Sequence, residues 1–290
     1  MSEPTTIEPG DERKLAALLT LLDDPEPVVQ HSVRAQLREL GPTAVAALRT
    51  LIERGGEEVV RTAARNLVRE IGLDRFRMAL ADELHAAGSD GDIDLERGIF
   101  AVAYLGYPEI DIAPYQAQLD AIAADIGARL RPEAGAVEHV RQLSAHLVEE
   151  LGFHGCRQEN FYDPDNSFIN RVLERRIGIP ITLSAVYLLV ARRINMPLYG
   201  VSFPAHFLVK YQTEATEFFV DPFGGGQILD VAEGRRMLVA LGIEERAEYF
   251  EPAPARVMLS RMLRNLAEIY RKVDPTVGVE LDNAIAMLAL

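Results

Sequence analysis

Cysteine is nearly missing from this sequence: Cys156 is the one thiol in 290 residues. A single thiol excludes an internal disulfide and any multi-cysteine metal site. Basic residues are also scarce, with 30 Lys and Arg against 44 Asp and Glu, a net charge of −14 with six His neutral. Such a surface repels phosphate backbones and anionic lipid, so neither nucleic acid nor membrane is an expected partner. Its plainer consequence is solubility. No apolar run reaches the ~20 residues that a bilayer-spanning helix needs. The most apolar stretch, Ile177 to Val190, is interrupted by Pro180 and followed by Arg192 and Arg193. The opening residues, Met1 to Gly10, are polar, contain Pro4 and Pro9, and lack the basic start and apolar centre of a secretory leader. A cytoplasmic location is the default expectation. Hydrophobic residues make up 48% and charged residues 26%, which predicts a packed core. The length allows two modest domains, or one domain with helical additions.

Two similar segments open the chain, Leu18 to Gly41 and Leu48 to Gly72. With a one-residue gap, Leu21 aligns with Leu51, Val28-Val29 with Val59-Val60, and Gly41 with Gly72. Each reads as helix, turn, helix and glycine stop. Val29, Val33 and Leu37 recur at helical spacing and predict one buried stripe. The pattern resembles HEAT-type repeats, and two units are too few to stand alone. Helical patterning continues over Asp94 to Leu105, Pro114 to Leu130 and Val137 to Leu151, with Gly152 ending the last. His139 and His146 lie seven residues apart on that third helix. A metal pair wants one-turn spacing and a third ligand nearby, so no metal is expected.

From Phe153 the character changes to turn formers, strongest at Asp163-Pro164-Asp165-Asn166. A short helix over Phe168 to Arg176 follows. A second then starts at Gly178-Ile179-Pro180 and runs to about Ile194, with Pro180 in the first turn, where its missing N–H costs nothing. That helix is apolar nearly all round, hence central and buried. Strands are predicted at Leu198 to Phe203, His206 to Tyr211 and Phe218 to Asp221, and Gly224-Gly225-Gly226 makes a tight turn. The chain closes with helices over Arg256 to Tyr270 and Gly278 to Leu290.

A reversal centred on Thr213-Glu214 sets Tyr211 opposite Thr216, Val209 opposite Phe218 and His206 opposite Asp221. Opposed residues share a sheet face. A His–Asp pair follows, in which the carboxylate fixes the imidazole tautomer, as in a Cys–His–Asp acyl-transfer triad. The alternative is a strand-end histidine with an ordinary hydrogen bond beside a turn-starting Asp-Pro. The buried helix begins just upstream, and its N-terminus is where a thiolate would be stabilised.

Buried helix, strand with His, strand with Asp: this order resembles the transglutaminase-like, papain-related superfamily. The closer resemblance is to the SirB-one family, carried by NSFINRVLERRIGIPITLSAVYLLVARRINMPLYGVSFPAHFLVKY, FFVDPFGGGQIL, VEELGFHG, YDPDNS and RVMLSRMLRNLAEIYRK. It covers roughly Asp92 to the C-terminus. The resemblance implies that Gly178-Ile179-Pro180 occupies the place of the family's Gly-x-Cys, with Pro180 in the cysteine position, and that His206 and Asp221-Pro222 match the His and Asp-Pro. It also implies a terminal hairpin of tetratricopeptide type and a link to regulation.

Other residues could supply a nucleophile. Ser184, one turn beyond Pro180, could face His206 or bond a backbone carbonyl from inside its helix. Cys156 lies outside the slot. Asn166, Ser167, Asn170 and Arg175 could line the cleft as binding residues. Alternatively, Asn166 or Ser167 caps the following helix and Arg175 makes a surface salt bridge.

The expected fold is α+β: HEAT-like repeats over residues 11–73, a transglutaminase-like domain with a small antiparallel sheet over 74–235, and C-terminal helices over 236–290. The expected function is a non-catalytic scaffold binding a protein or peptide, without cofactor or metal. The alternative is a hydrolase or acyltransferase using His206 and Asp221 with Ser184 or water as nucleophile.

Overall fold

The computed structural model describes residues 9–54, 57–88 and 91–289, with side chains described from residue 13. The leader reading at residues 1–8, the Gly55-Gly56 turn of the second repeat and Leu290 at the end of the last predicted helix lie outside the described residues. The fold is α+β, and the chain divides into two compact units.

The first unit comprises residues up to Ala79 together with Ala103–Ile110. It holds α1 (Pro9–Thr20), α2 (Pro27–Leu40), α3 (Pro42–Arg54) and most of α4 (Glu58–Ala87). Proline opens α2 and α3 within the first turn, a position that needs no N–H donor. The predicted stripe is present: Val33 and Leu37 are buried with Leu15, Leu18, Leu48 and Leu67, while Val29 is partly buried against them. Val28 and Val59 face outward. Gly41 does end α2, and its N–H bonds to the carbonyls of Leu37 and Arg38. Gly72 does not stop a helix, contrary to the sequence reading. The periodic apolar residues Ile71, Phe76 and Leu80 carry α4 straight through it. Glycine is there because a backbone passes close by: a Cβ would lie 2.7 Å from the Tyr104 carbonyl oxygen.

The second unit comprises Leu80–Val102 and Asp111–Leu290. Its remaining helices are α5 (Leu95–Ala103), α6 (Ala113–Gly127), α7 (Ala136–Ser144), α8 (Ile169–Arg175), α9 (Pro180–Arg193), α10 (Val231–Ala240), α11 (Ala255–Val273) and α12 (Pro275–Leu288). A π turn, Ala145–Glu150, continues α7. The strands are β1 (His154–Gly155), β2 (Ile177–Gly178), β3 (Leu198–Val201), β4 (Leu208–Gln212), β5 (Glu217–Asp221) and β6 (Gln227–Leu229). β1 and β2 pair in parallel, and the other four form an antiparallel sheet in the order β3-β4-β5-β6.

As its composition requires, α9 is buried from Ile181 to Ala191. It packs against α6, α8, β3 and β4. On the sheet, Val201, Leu208, Phe219 and Leu229 cluster with Leu238 of α10 and with Phe250. Phe218, Phe219 and Val220 are buried in succession in β5, and β4 buries Lys210 beside Leu208 and Val209, so neither strand has a solvated face over these positions. Ions brace α9 at its C-terminal end: Arg193 bonds Glu96 at 2.8 and 2.9 Å and Asp120 at 2.6 Å. No described helix is long and apolar enough to cross a membrane.

Candidate functional site

The imidazole and the carboxylate meet. His206 Nε2 lies 2.9 Å from Asp221 Oδ2, and both side chains are about 15% exposed. The register that led to this pair is corrected by two residues. Val209 pairs with Val220 and Gln212 with Glu217, so the turn centres on Glu214-Ala215 rather than Thr213-Glu214. The reason is local: the Thr213 N–H donates to the Thr216 carbonyl at 2.9 Å, and the Thr213 hydroxyl accepts from the Thr216 N–H at 3.2 Å. A two-residue shift preserves the face of every side chain. His206 also lies outside β4, on a turn that brings the ring back to Asp221. In that turn the His206 N–H donates to the Phe203 carbonyl at 3.1 Å, and Ala205 sits at φ 54°. A non-glycine residue in the left-handed region is strained by about 1–2 kcal/mol, and the strain falls next to the imidazole.

Asp221 is held from two sides. Its Oδ1 accepts from the Gly224 N–H at 2.9 Å, and its main-chain oxygen accepts from the Gly226 N–H at 2.7 Å. With Nε2 donating to Asp221, the neutral ring carries its lone pair on Nδ1. This pairing orients the ring as a base or hydrogen-bond acceptor through Nδ1. The Phe223 and His206 rings meet edge to face, with centroids 6.0 Å apart and planes at 82°. Behind the turn stand two buried hydroxyls, Tyr187 of α9 and Ser144 at the end of α7. The sequence reading took Tyr187 only as one apolar member of its helix. The signal that could have found it is the triple glycine after Asp221, because such a turn lets neighbours approach closely.

Burial pushes the Tyr187 hydroxyl up to about 12, the Ser144 hydroxyl acting in the other direction and the Asp221 charge adding to the rise. Burial likewise takes Tyr115 and Tyr270 to about 12, with Glu174 contributing to the first and Asp165 and Asp274 to the second. A folded state that holds its proton to higher pH than the unfolded chain is fully stabilised below the ordinary value of 10 and loses that stability as pH rises toward 12. The midpoint of denaturant unfolding is therefore expected to fall over that interval. In a 295 nm titration of the folded chain, Tyr115, Tyr187 and Tyr270 should ionise toward 12; replacing each by Phe should remove part of that late rise, and an unchanged curve would contradict the assignment.

Among the described residues, the first turns of α9 present no free nucleophile. Pro180 is the first residue of α9, and the Thr182 hydroxyl closes the turn. It accepts from the Ile179 N–H at 3.1 Å and donates to the Asn166 carbonyl at 2.7 Å. Ser184 is fully buried and donates to the Phe207 carbonyl at 3.3 Å. The serine reading is corrected accordingly: the hydroxyl points into the core and bonds the residue after His206, not its ring. Cys156 is buried, and its N–H bonds to the Gly178 carbonyl at 2.9 Å. Burial, with the Asp163 charge behind it, pushes its thiol up, which favours the unreactive protonated form.

Among the proposed binding residues, Asn166 and Arg175 come together in a cavity of about 400 Å3 beside β1 and β2. Ser167 and Asn170 are buried but do not line it. The capping reading of Asn166 and Ser167 is corrected: Phe168 takes the N-cap position of α8 and makes no side-chain cap bond. Asp163 instead caps the preceding 3-10 turn, accepting from the Asp165 N–H at 3.0 Å. Arg175 pairs with Asp163 at 3.1 Å and Asp165 at 3.4 Å.

A buried helix packed on a small antiparallel sheet, with His and Asp joined at the sheet's end, is the arrangement expected of a transglutaminase-like domain. The chain belongs to the transglutaminase-like superfamily, whose sequence profile matches residues 113–264. It is similar to a UPF0162 protein of Xylella fastidiosa, strain Temecula1, with 36% identity over 199 residues, which is 65% of this chain and 69% of the relative. A UPF0162 protein of Pseudomonas aeruginosa is 32% identical over 53% of this chain and 56% of its own length. F-box only protein 21 of Mus musculus is 33% identical over half of this chain, but over only 24% of that protein. No solved structure matches.

Proposed function

We propose that this chain is a non-catalytic member of its superfamily that binds a peptide or protein segment at the His206–Asp221 pair. The observation that carries the reading is the helix tip. The imidazole and carboxylate are joined at 2.9 Å, yet Pro180 stands where a thiolate would, and the Ser184 hydroxyl is committed to the Phe207 carbonyl. Within this reading the chain is of the SirB-one type, with HEAT-like repeats over 11–73, a transglutaminase-like domain over 74–235 and a tetratricopeptide-like hairpin over 236–290. The repeats are supported by the paired helices α1–α2 and α3–α4 around one apolar stripe, and the hairpin by the packing of α11 on α12. Helical arrays of this kind commonly hold protein partners.

The deciding experiment incubates the full chain with amide, ester and glutamine acyl donors, with and without an amine acceptor. No product above the buffer control is expected. Turnover that disappears in His206→Ala but persists in Ser184→Ala would overturn the reading in favour of water as nucleophile.

A further inference from the structure

The cavity beside β1 and β2 has a chemistry unlike the rest of the molecule. It is lined by His154, Cys156, Arg157, Asn160, Asn166 and Arg175, with Gly155 and Ile177 completing the wall. In a chain of net charge −14, that lining contains three cation-forming side chains and no carboxylate. Asp163 and Asp165 both engage Nη1 of Arg175, at 3.1 and 3.4 Å, which fixes the guanidinium and leaves Nε and Nη2 without a partner among the described residues. The exposed Arg157 has, among the described residues, a single long approach, from Glu159 at 3.8 Å. His154 Nδ1 is turned to the Gly152 carbonyl at 2.9 Å.

Asn166 adds an unmet acceptor. The residue is fully buried, its Nδ2 donates to the Asn160 carbonyl at 2.7 Å, and its Oδ1 has no hydrogen-bond partner among the described residues. The bond from Nδ2 sets which end of the amide is oxygen, so the unmet group calls for an N–H or O–H donor. A buried acceptor left in this state costs about 1–3 kcal/mol. Asp163, with Asp165 shared between Arg175 and Arg171, compensates the Arg175 charge, so the site offers directed N–H donors more than net positive charge and suits a monoanion better than a phosphate dianion. The volume, about 400 Å3, admits one or two amino-acid residues.

We propose that this cavity is a binding subsite for a carboxylate with an amide N–H beside it, the group shared by a free N-acylated amino acid and the C-terminal residue of a peptide. The carboxylate takes the open side of the Arg175 fork, with Arg157 at the rim, and the N–H meets Asn166 Oδ1. The inference goes beyond the reading of the His206–Asp221 pair and stands or falls separately from it. The cavity and the pair are neighbours through one contact chain: a Cβ on Gly155 would lie 2.7 Å from the Phe223 ring, which meets the His206 ring edge to face.

The test is an NMR titration of the 15N-labelled full chain with N-acetylglycine up to about 10 mM. Shifts are expected at the Gly155 and Cys156 amides and at the Asn166 side-chain NH2. N-acetylglycinamide, which lacks the carboxylate, and N-acetylsarcosine, which lacks the N–H, should bind at least about tenfold more weakly. Arg175→Gln should weaken N-acetylglycine to a similar degree. An acetylated tripeptide ending in a free carboxylate, run beside its amidated form, separates the two sources. Tighter binding of the free-ended peptide than of N-acetylglycine assigns a peptide terminus, and weaker binding assigns the free acyl amino acid. The proposal is overturned if those three groups do not shift, or if the carboxamide or the sarcosine analogue binds as well as N-acetylglycine. Should Arg175→Gln fail to fold, the ligand series on the unaltered chain decides alone.

Discussion

Gly226→Ala is expected to destabilise the chain by about 3–5 kcal/mol. Two effects add. Gly226 sits at φ 76°, where an L side chain is strained by about 1–2 kcal/mol. The new Cβ would also lie 2.6 Å from Ser144 Cβ and Oγ and 2.7 Å from the Tyr187 hydroxyl, in a region where all three residues are buried and cannot move aside cheaply. Gly225→Ala provides the internal control. Its φ is 78°, but a Cβ there meets nothing within 4 Å, so it should show the conformational term alone. Urea denaturation of both variants separates strain from collision. Equal losses would mean that the close approach of Ser144 and Tyr187 has no energetic consequence. The larger loss should travel with disturbance of the candidate site, because the Gly226 N–H holds the Asp221 carbonyl. The His206 ring resonances should therefore shift in Gly226→Ala and remain in place in Gly225→Ala.

Gly72→Ala should run against the usual rule for helices. Alanine in place of a mid-helix glycine ordinarily stabilises by about 1 kcal/mol. Here the Cβ would stand 2.7 Å from the Tyr104 carbonyl oxygen and 3.1 Å from that of Leu105. Both obstacles are main chain, so relief requires a shift of the segment rather than of a rotamer. A net loss of about 1–2 kcal/mol is expected, overpacking outweighing propensity. A raised melting temperature in this variant would show that α4 and the Tyr104 segment can separate without penalty. The thermal transition of the full chain, followed by circular dichroism, provides the measurement.

These two glycines also mark the limit of what sequence reveals. At Gly72 the residue type suggested a stop because it matched Gly41 in register. Only the position of the Tyr104 carbonyl distinguishes a helix that ends from one that lets a neighbour approach. Helices and strands with clear periodicity were legible. The predicted start of α9 at Pro180 is the observed one, and β3, β4 and β5 fall where apolar, β-branched residues recur. The two-residue strands β1 and β2, the short β6 and helix α10 were not read. β1 and β2 depend on a pairing between segments distant in the chain, and β6 is too brief to carry a period, whereas α10 does carry a legible start, the capping box of Asp230 and Glu233, which the sequence reading passed over.

The His206–Asp221 contact was anticipated through a register that proved two residues off. It was recoverable because residue parity survives such a shift and because the turn at Ala205 supplies the remaining reach. No pattern in the sequence announces that turn, since alanine carries no signal for a left-handed backbone. The same holds for Ser184. Its position one turn past Pro180 was plain, but only the course of the chain after His206 shows that its hydroxyl meets a carbonyl rather than an imidazole.

The turn at Ala205 has a thermodynamic consequence. The imidazole is aimed from within the fold, by the backbone N–H bond to Phe203, the strained residue before it and the contact of its Nε2 with Asp221, rather than by anything it might receive. The entropy of ordering that ring is thus spent when the chain folds, not when a ligand arrives. A preorganised group of this kind favours association with little rearrangement. Under the binding role proposed above, that is what the histidine contributes.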